Sequence, residues 1–272
     1  MKKYIYISTA LVLGLLTSCA TNPFSGKKTL ALVPDSEILP AAFAQYSSFL
    51  KENKVVRGTS SAKLVESVGV KIKNAAERYL NANGYKGYLN DYRWEYNLVD
   101  NKEVNAWCMP GGKIVVYSGI LPITKTEAGL ATVMGHEVAH ALANHGQQRM
   151  SSSQLQNYGA IVAQVALSEK SAETQAIAMQ AYGITTQVGI ALPFSRSHET
   201  EADEIGLTLM AIAGYNPDES IAFWTRMAAN SGGGAPPEIL STHPADATRI
   251  ANLKRLIPKA KAEAAKFGVT YK

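Results

Sequence analysis

The feature that most constrains this chain is the stretch Ala131–Gly146, ATVMGHEVAHALANHG. On a helix turning about 100° per residue, His136 and His140 stand one turn apart on one face, so both imidazoles reach a single metal ion. Glu137, the next residue round from His136, leans over the same point and can take a proton from a water there. Ala131, Val133, Met134, Val138, Ala139, Ala141, Leu142 and Ala143 make the rest of the stretch apolar and helix-favouring, and Gly135 leaves space beside His136. Burying two imidazoles and a carboxylate among such residues without partners is costly. A metal site is therefore a better reading than two core histidines.

Two histidines do not complete a catalytic zinc site, which takes three protein ligands and keeps one position for water. A third histidine six residues after His140 is absent, because position 146 is Gly, and His145 falls on a different face. His145 reads as a structural or surface residue. The third ligand is expected from a second helix, and Ser195–Gly206 (SRSHETEADEIG) has the necessary density of His198, Glu199, Glu201, Asp203 and Glu204. Glu199 and Asp203 share a face at i, i+4, with Ala202 and Gly206 small enough for close approach to the first helix. Glu199 is read as the ligand and Asp203 as the carboxylate orienting a ligand histidine through its other ring nitrogen. The expected cofactor is one Zn²⁺ per chain.

The remaining pattern is mostly helical. Asp35–Asn53 and Ser60–Asn83 have helical periodicity, with Ser60 or Ser61 as the cap of the second. Tyr92–Val99 alternates like a strand, and Asn105–Trp107 and Lys113–Ser118 flank a Pro110-Gly111-Gly112 turn. Met150–Pro193 is rich in Ala, Gln, Ser and Met; it reads either as core helices joined by a linker or as a lid over the site. Helices are expected from Ser195 to Ala213, after Asn216-Pro217, and from Pro244 to Phe267. Ser231–Pro237 is expected as a flexible loop. With 27 basic and 22 acidic residues, the charge is too mild to imply nucleic-acid binding.

The first residues call for a separate reading. Lys2 and Lys3, the apolar run Tyr4–Leu16 and Leu16-Thr17-Ser18-Cys19 form a secretory signal over residues 1–18. Residues 19–29 are expected as a lipidated start and tether, and residues 30–272 as one metallopeptidase domain. If Cys19 carries lipid, Cys108 is left as a free, buried thiol.

With these residues in view, the chain resembles the gluzincin family that contains the CAAX prenyl protease, and within it the BepA/LoiP-like periplasmic protease lipoproteins. The resemblance rests on H-E-x-x-H and on S-R-x-x-E-x-E-A-D-x-x-G from Ser195 to Gly206. Asn105-Ala106 through Pro110-Gly111-Gly112 to Gly119, and Ser241-Thr242-His243-Pro244, extend it. It implies an α+β, mainly helical zincin-type metalloprotease domain with a small β-sheet whose edge strand borders the active-site cleft. It agrees with Glu199 as zinc ligand. It also implies that Lys113–Ser118 is the edge strand holding extended substrate, through Lys113, Ile114, Val115 and Val116.

For His243 the family implies a regulatory fourth ligand or an oxyanion-stabilising, catalytic group, beside the plainer reading as a cap of the last helix. Arg249 is read as holding the His243 loop or binding substrate. The expected function is zinc-dependent endopeptidase action on misfolded or unassembled envelope proteins, with Glu137 as general base to a zinc-activated water. A chaperone-like envelope factor with an occluded site is the alternative. The expected partners are unfolded protein substrates and a membrane, reached through lipid on Cys19. Leu16-Thr17-Ser18-Cys19 resembles the lipobox of bacterial lipoproteins, and with Ala20 after the cysteine that resemblance implies a bacterial outer membrane, facing the periplasm. The absence of multiple spans puts prenyl-protein processing aside.

Overall fold

A computed structural model of the chain describes residues 19–187, 192–230, 239–240, 243 and 247–271. The expected signal (1–18), the Ser231–Pro237 loop and the start of the last helix at Pro244 lie outside these. The residues fall into two compact units: the segment up to Ile38 with Asn144–His198, and Leu39–Ala143 with Glu199 to the C-terminus.

In the first unit, β1 (Cys19–Thr21) pairs antiparallel with β2 (Lys28–Leu30), so the expected tether is a hairpin. The Asn22 side chain accepts hydrogen bonds from the Phe24 and Ser25 amides and closes the turn, as an asparagine before proline is suited to do. Two helices follow much later in sequence, α5 (His145–Ala166) and α6 (Ala172–Thr186). Tyr182 donates to the Gln156 carbonyl at 2.8 Å, which fastens α6 along α5 as a hairpin. No residue of α6 is buried, and from Met150 onward α5 buries only Ser151, so the described residues from Met150 to Gln187 do not supply the core helices that the composition allowed. At the base of α5, the buried His145 stacks on His198 with centroids 4.0 Å apart. Gln148 lies 3.1 Å from His198. His145 is structural, as its spacing indicated.

The second unit is built round α4 (Glu127–Leu142), in which every residue from Gly129 to Leu142 is buried. Thr126 caps it by accepting from the Gly129 amide at 2.9 Å, satisfying one of the amides that a helix start leaves free. At the other end, the Tyr88 and Tyr92 hydroxyls donate to the Leu142 and Ala141 carbonyls. Against α4 pack α2 (Ser60–Ala82) and the short α3 (Leu121–Thr124), together with α8 (Glu219–Ala229). Thr59, one residue before the expected cap, caps α2. The first helix, α1 (Asp35–Glu52), includes Pro40 in its second turn. From Leu39 on, α1 belongs to this unit, where Tyr46 donates to the Ile114 carbonyl and accepts from Asn97.

The sheet runs β3 (Val55–Val56), β4 (Glu95–Val99), β6 (Lys113–Tyr117), β5 (Ala106–Met109) in spatial order. β4 and β6 are parallel, and β5 folds back antiparallel on β6 through the Gly111-Gly112 turn. Both glycines have φ near +80°, open to them at little cost. Here the sequence reading is corrected. Lys113–Tyr117 is ladder-bonded on both sides, with Ile114, Val115 and Val116 at most 1% exposed, so it has no free edge for a substrate. The edge strands are β3 and β5, and of these β5 packs on α4.

Candidate metal centre

Two helices bring the metal-site residues together by touching backbone to backbone. A Cβ added at Gly135 would lie 2.9 Å from the Gly206 carbonyl oxygen, and one at Gly206 would lie 2.9 Å from the His136 amide nitrogen. Nothing larger than hydrogen fits at either position. Helix α7 (Leu192–Ile212) can therefore deliver a side chain as short as Glu199 to the histidines of α4. Gly214 follows α7 in a left-handed conformation (φ 92°), and the Tyr215 amide bonds back to the Met210 carbonyl, a Schellman stop.

The donor atoms form a compact group. His136 Nε2 and His140 Nε2 are 3.1 Å apart. Glu199 places one oxygen 3.3 Å from His136 Nε2 and the other 3.3 Å from His140 Nε2. Bonds of about 2.0–2.2 Å to a tetrahedral zinc would set neighbouring donors roughly 3.3–3.6 Å apart, so these three residues fit a zinc ion nearly without adjustment. His243 joins them, its Nδ1 at 2.7 Å from Glu199 and 3.1 Å from His136 Nε2. All four residues offer ligand atoms within 4.8 Å of one another.

Glu137 is 5% exposed, and its Oε1 has no hydrogen-bond partner among the described residues; His243 Nε2 is 3.7 Å from it. A buried carboxylate oxygen left open beside a cation site is placed to accept a proton from water.

Asp203 holds the other side of the first histidine. Its Oδ1 lies 2.9 Å from His136 Nδ1 and accepts from Arg249 at 2.6 Å. Arg249, on α9 (Ala247–Ala265), lies flat on Trp224 of α8, its guanidinium carbon 3.4 Å from the ring centroid. The same indole meets His136 edge-on at 5.9 Å. Arg249 is 6% exposed, so the expectation that it binds substrate directly gives way to a contact role on Asp203. Trp224 was read only as part of an apolar helix face. Sequence offered no signal for its role beyond an aromatic on that face.

Electrostatics follow from burial and these partners. Burial and Arg249 disfavour the imidazolium of His136, yet hydrogen bonds to Asp203 and Glu199 outweigh them and raise its pKa to about 9. Burial, with His136 and His243 close by, keeps His140 well below the usual histidine range despite Glu199. Glu199 is held below the carboxylate range: its hydrogen bonds to three histidines overcome the penalty of burial. Asp203 is likewise lowered against burial, first by the charge of Arg249. One fixed anion facing clustered imidazoles is a site that attracts a cation.

Of the residues singled out from sequence, His136, His140, Glu199, His243, Glu137, Asp203 and Arg249 meet in one place. Lys113 does not join them; it is ion-paired with Glu95 at 3.1 Å. Cys108 on β5 is free and partly buried.

Comparison with known proteins agrees with this geometry. The mitochondrial metalloendopeptidase OMA1 of Saccharomyces cerevisiae is 37% identical over 203 residues, covering 72% of this chain and 56% of that protein. Human OMA1 is 26% identical over 250 residues, covering 90% and 47%. The β-barrel assembly-enhancing protease of Escherichia coli is 28% identical over 186 residues, covering 65% and 38%. The chain thus spans about half the length, or less, of the curated relatives it matches. The expected location is overturned: mitochondrial OMA1 proteins of two yeasts and Arabidopsis thaliana match at 35–37% identity, the bacterial proteases at 25–28%. These matches point away from a bacterial outer-membrane lipoprotein. The sequence pattern of peptidase family M48 matches residues 70–257, a span that holds every site residue described above, and the chain belongs to peptidase family M48.

Proposed function

We propose that this chain is a zinc-dependent endopeptidase acting on extended segments of misfolded or unassembled proteins. The single observation that carries the reading is the His136–His140–Glu199 donor set, with the two imidazole Nε2 atoms 3.1 Å apart and each 3.3 Å from one of the two Glu199 oxygens, beside the Glu137 oxygen that has no hydrogen-bond partner among the described residues. Membership of a peptidase family and the metalloendopeptidase names of the relatives support it. His136, His140 and Glu199 would hold the metal. When bound, zinc supplies Lewis acidity, which brings the ionisation of water towards neutral pH and polarises a peptide carbonyl.

The chain's own residues do the rest. Glu137 accepts a proton from the attacking water and returns it to the leaving amine. Asp203 fixes the ring of His136 through Nδ1, and Arg249 holds Asp203 against Trp224. An extended peptide would pair along β5, the edge strand packed on α4, with backbone hydrogen bonds giving affinity for many sequences. Selection of misfolded or unassembled clients follows from that: only an unfolded segment can add as a strand.

The test is zinc content and casein cleavage measured together, on the wild type and on Glu137→Gln. About one zinc per chain in both, with turnover lowered roughly 10²- to 10⁴-fold in the variant, is the expected outcome. Equal cleavage by the two would remove Glu137 from the mechanism.

A second reading rests on His243. Its Nδ1 lies within 3.1 Å of both Glu199 and His136, so His243 would offer a fourth ligand atom beside the other three and keep the enzyme latent until it moved away. In that reading His243→Ala is more active than wild type. A loss of activity in that variant would instead give His243 a part in substrate binding or catalysis.

A further inference from the structure

Among the described residues, every strongly exposed large apolar side chain except Val70 lies between Met150 and Ile184, on the α5–α6 hairpin. On α5 these are Met150 (41% exposed), Leu155 (39%), Tyr158 (62%), Ile161 (57%), Val162 (68%) and Val165 (68%); α6 adds Ile177 and Ile184, seven residues apart. Packing within the hairpin uses other positions. Gly159 faces Tyr182 so closely that a Cβ there would stand 2.3 Å from the hydroxyl. The apolar row is therefore surplus to what holds α5 and α6 together, and exposed apolar patches of this size mark contact surfaces.

Its spacing says what kind. Leu155, Tyr158, Val162 and Val165 follow intervals of three, four and three, the a and d positions of two heptads, which pack into the holes of another helix. The flanking positions Gln154, Gly159, Ile161 and Ala166 carry no charge, whereas a foreign helix is selected by charges there. A helix lying on a bilayer carries lysine or arginine along its polar face, yet Glu169, Lys170 and Glu173 are the only charges from Met150 to Gln187. None of the described helices is long and apolar enough to cross a membrane. A neutral, self-complementary row suits a second copy of itself, through a two-fold contact in which each copy offers the same surface. The α5 row alone exposes roughly 500 Å² per copy, so a pair buries on the order of 1,000 Å², the lower bound of specific interfaces, before α6 is counted.

We propose that the α5–α6 hairpin is a self-association surface, through which two copies of this chain pair by the Leu155–Val165 row. The test is sedimentation equilibrium of the full chain over a wide concentration range. It is run beside Val162→Glu/Val165→Glu and the control Val70→Glu, with flotation on phosphatidylcholine–phosphatidylglycerol vesicles in parallel. The wild type and the control should dimerise alike. The double variant should dissociate at least ~100-fold more readily, because two like charges then face two others across the contact. Its helical circular dichroism and zinc content should not change, since glutamate is a good helix former at exposed positions. If the double variant loses helical signal, Val162→Ser/Val165→Ser takes its place. A wild type that stays monomeric, or a dimer indifferent to both variants, overturns the proposal. So does a monomer that floats with vesicles through the same residues, which would make the row a lipid contact.

Discussion

Replacing Gly206 by alanine tests whether the metal centre depends on backbone contact between α4 and α7. The added Cβ would meet the His136 amide nitrogen at 2.9 Å and the Gly135 carbonyl carbon at 3.0 Å. Comfortable contacts between such atoms lie at about 3.5–4.0 Å. Both obstacles are main chain, so no rotamer change relieves them, and the helices must part by roughly 0.5 Å or more, as much as a functional site tolerates. Overpacking of this kind costs about 1–3 kcal/mol. In an exposed helix the same change would stabilise by about 1 kcal/mol through propensity alone, so the two explanations differ in sign. Glu199 and His136 sit on the two helices being separated, and their 3.3 Å contact should open with them. The expected result is a lower melting temperature and zinc affinity weaker by about tenfold, for a loss near 1.4 kcal/mol, measured by thermal unfolding and by competition with a chelator. A Gly206→Ala protein that melts higher and binds zinc as tightly as wild type would refute the argument.

Other variants probe the surroundings. Arg249→Met should destabilise by about 3–5 kcal/mol in denaturant titration, because it leaves a buried carboxylate without its cation; Arg249→Met/Asp203→Asn should recover part of that loss. Asp203→Asn alone should weaken zinc binding by roughly 10- to 100-fold while His136 and His140 remain. Tyr46→Phe should cost about 1–2 kcal/mol in the same titration, since the hydroxyl serves both the Ile114 carbonyl and the Asn97 amide. Burial and the nearby charge of Glu137 push the Cys108 thiol well above its ordinary pKa. It should therefore stay protonated and resist a thiol-specific disulfide reagent at pH 8, where the exposed Cys19 reacts, and should be labelled only on unfolding.

Much of the centre was legible because its chemistry is local. His136, Glu137 and His140 are one helical turn, Glu199 and Asp203 another, and small residues at Ala202 and Gly206 announced that the two turns would touch. The Asn22 turn was also readable, from an Asn-Pro pair followed by Gly26, although the segment was taken for a tether. Strand order was not, because alternation says which face a strand buries and nothing about its neighbours. β4 skips β5 to pair with β6, and that choice is made by the Gly111-Gly112 turn together with packing on α4. The role of Arg249 was hidden for a related reason. Its partners Asp203 and Trp224 come from two other helices, and only their convergence turns an arginine near a histidine loop into a clamp.

The Arg249–Asp203 pair spans 46 residues of sequence, and this has a consequence for how the protein is made. At translation rates of about 5–20 residues per second, Asp203 leaves the ribosome roughly 2–9 s before the guanidinium that neutralises it. Over that interval all the histidines of α4 and the carboxylate of Glu199 already exist, but docking α7 on α4 would bury Asp203 without its cation. The nascent chain is thus kept from closing its own cutting centre until α9 has been synthesised, and a product truncated before Arg249 is born without one.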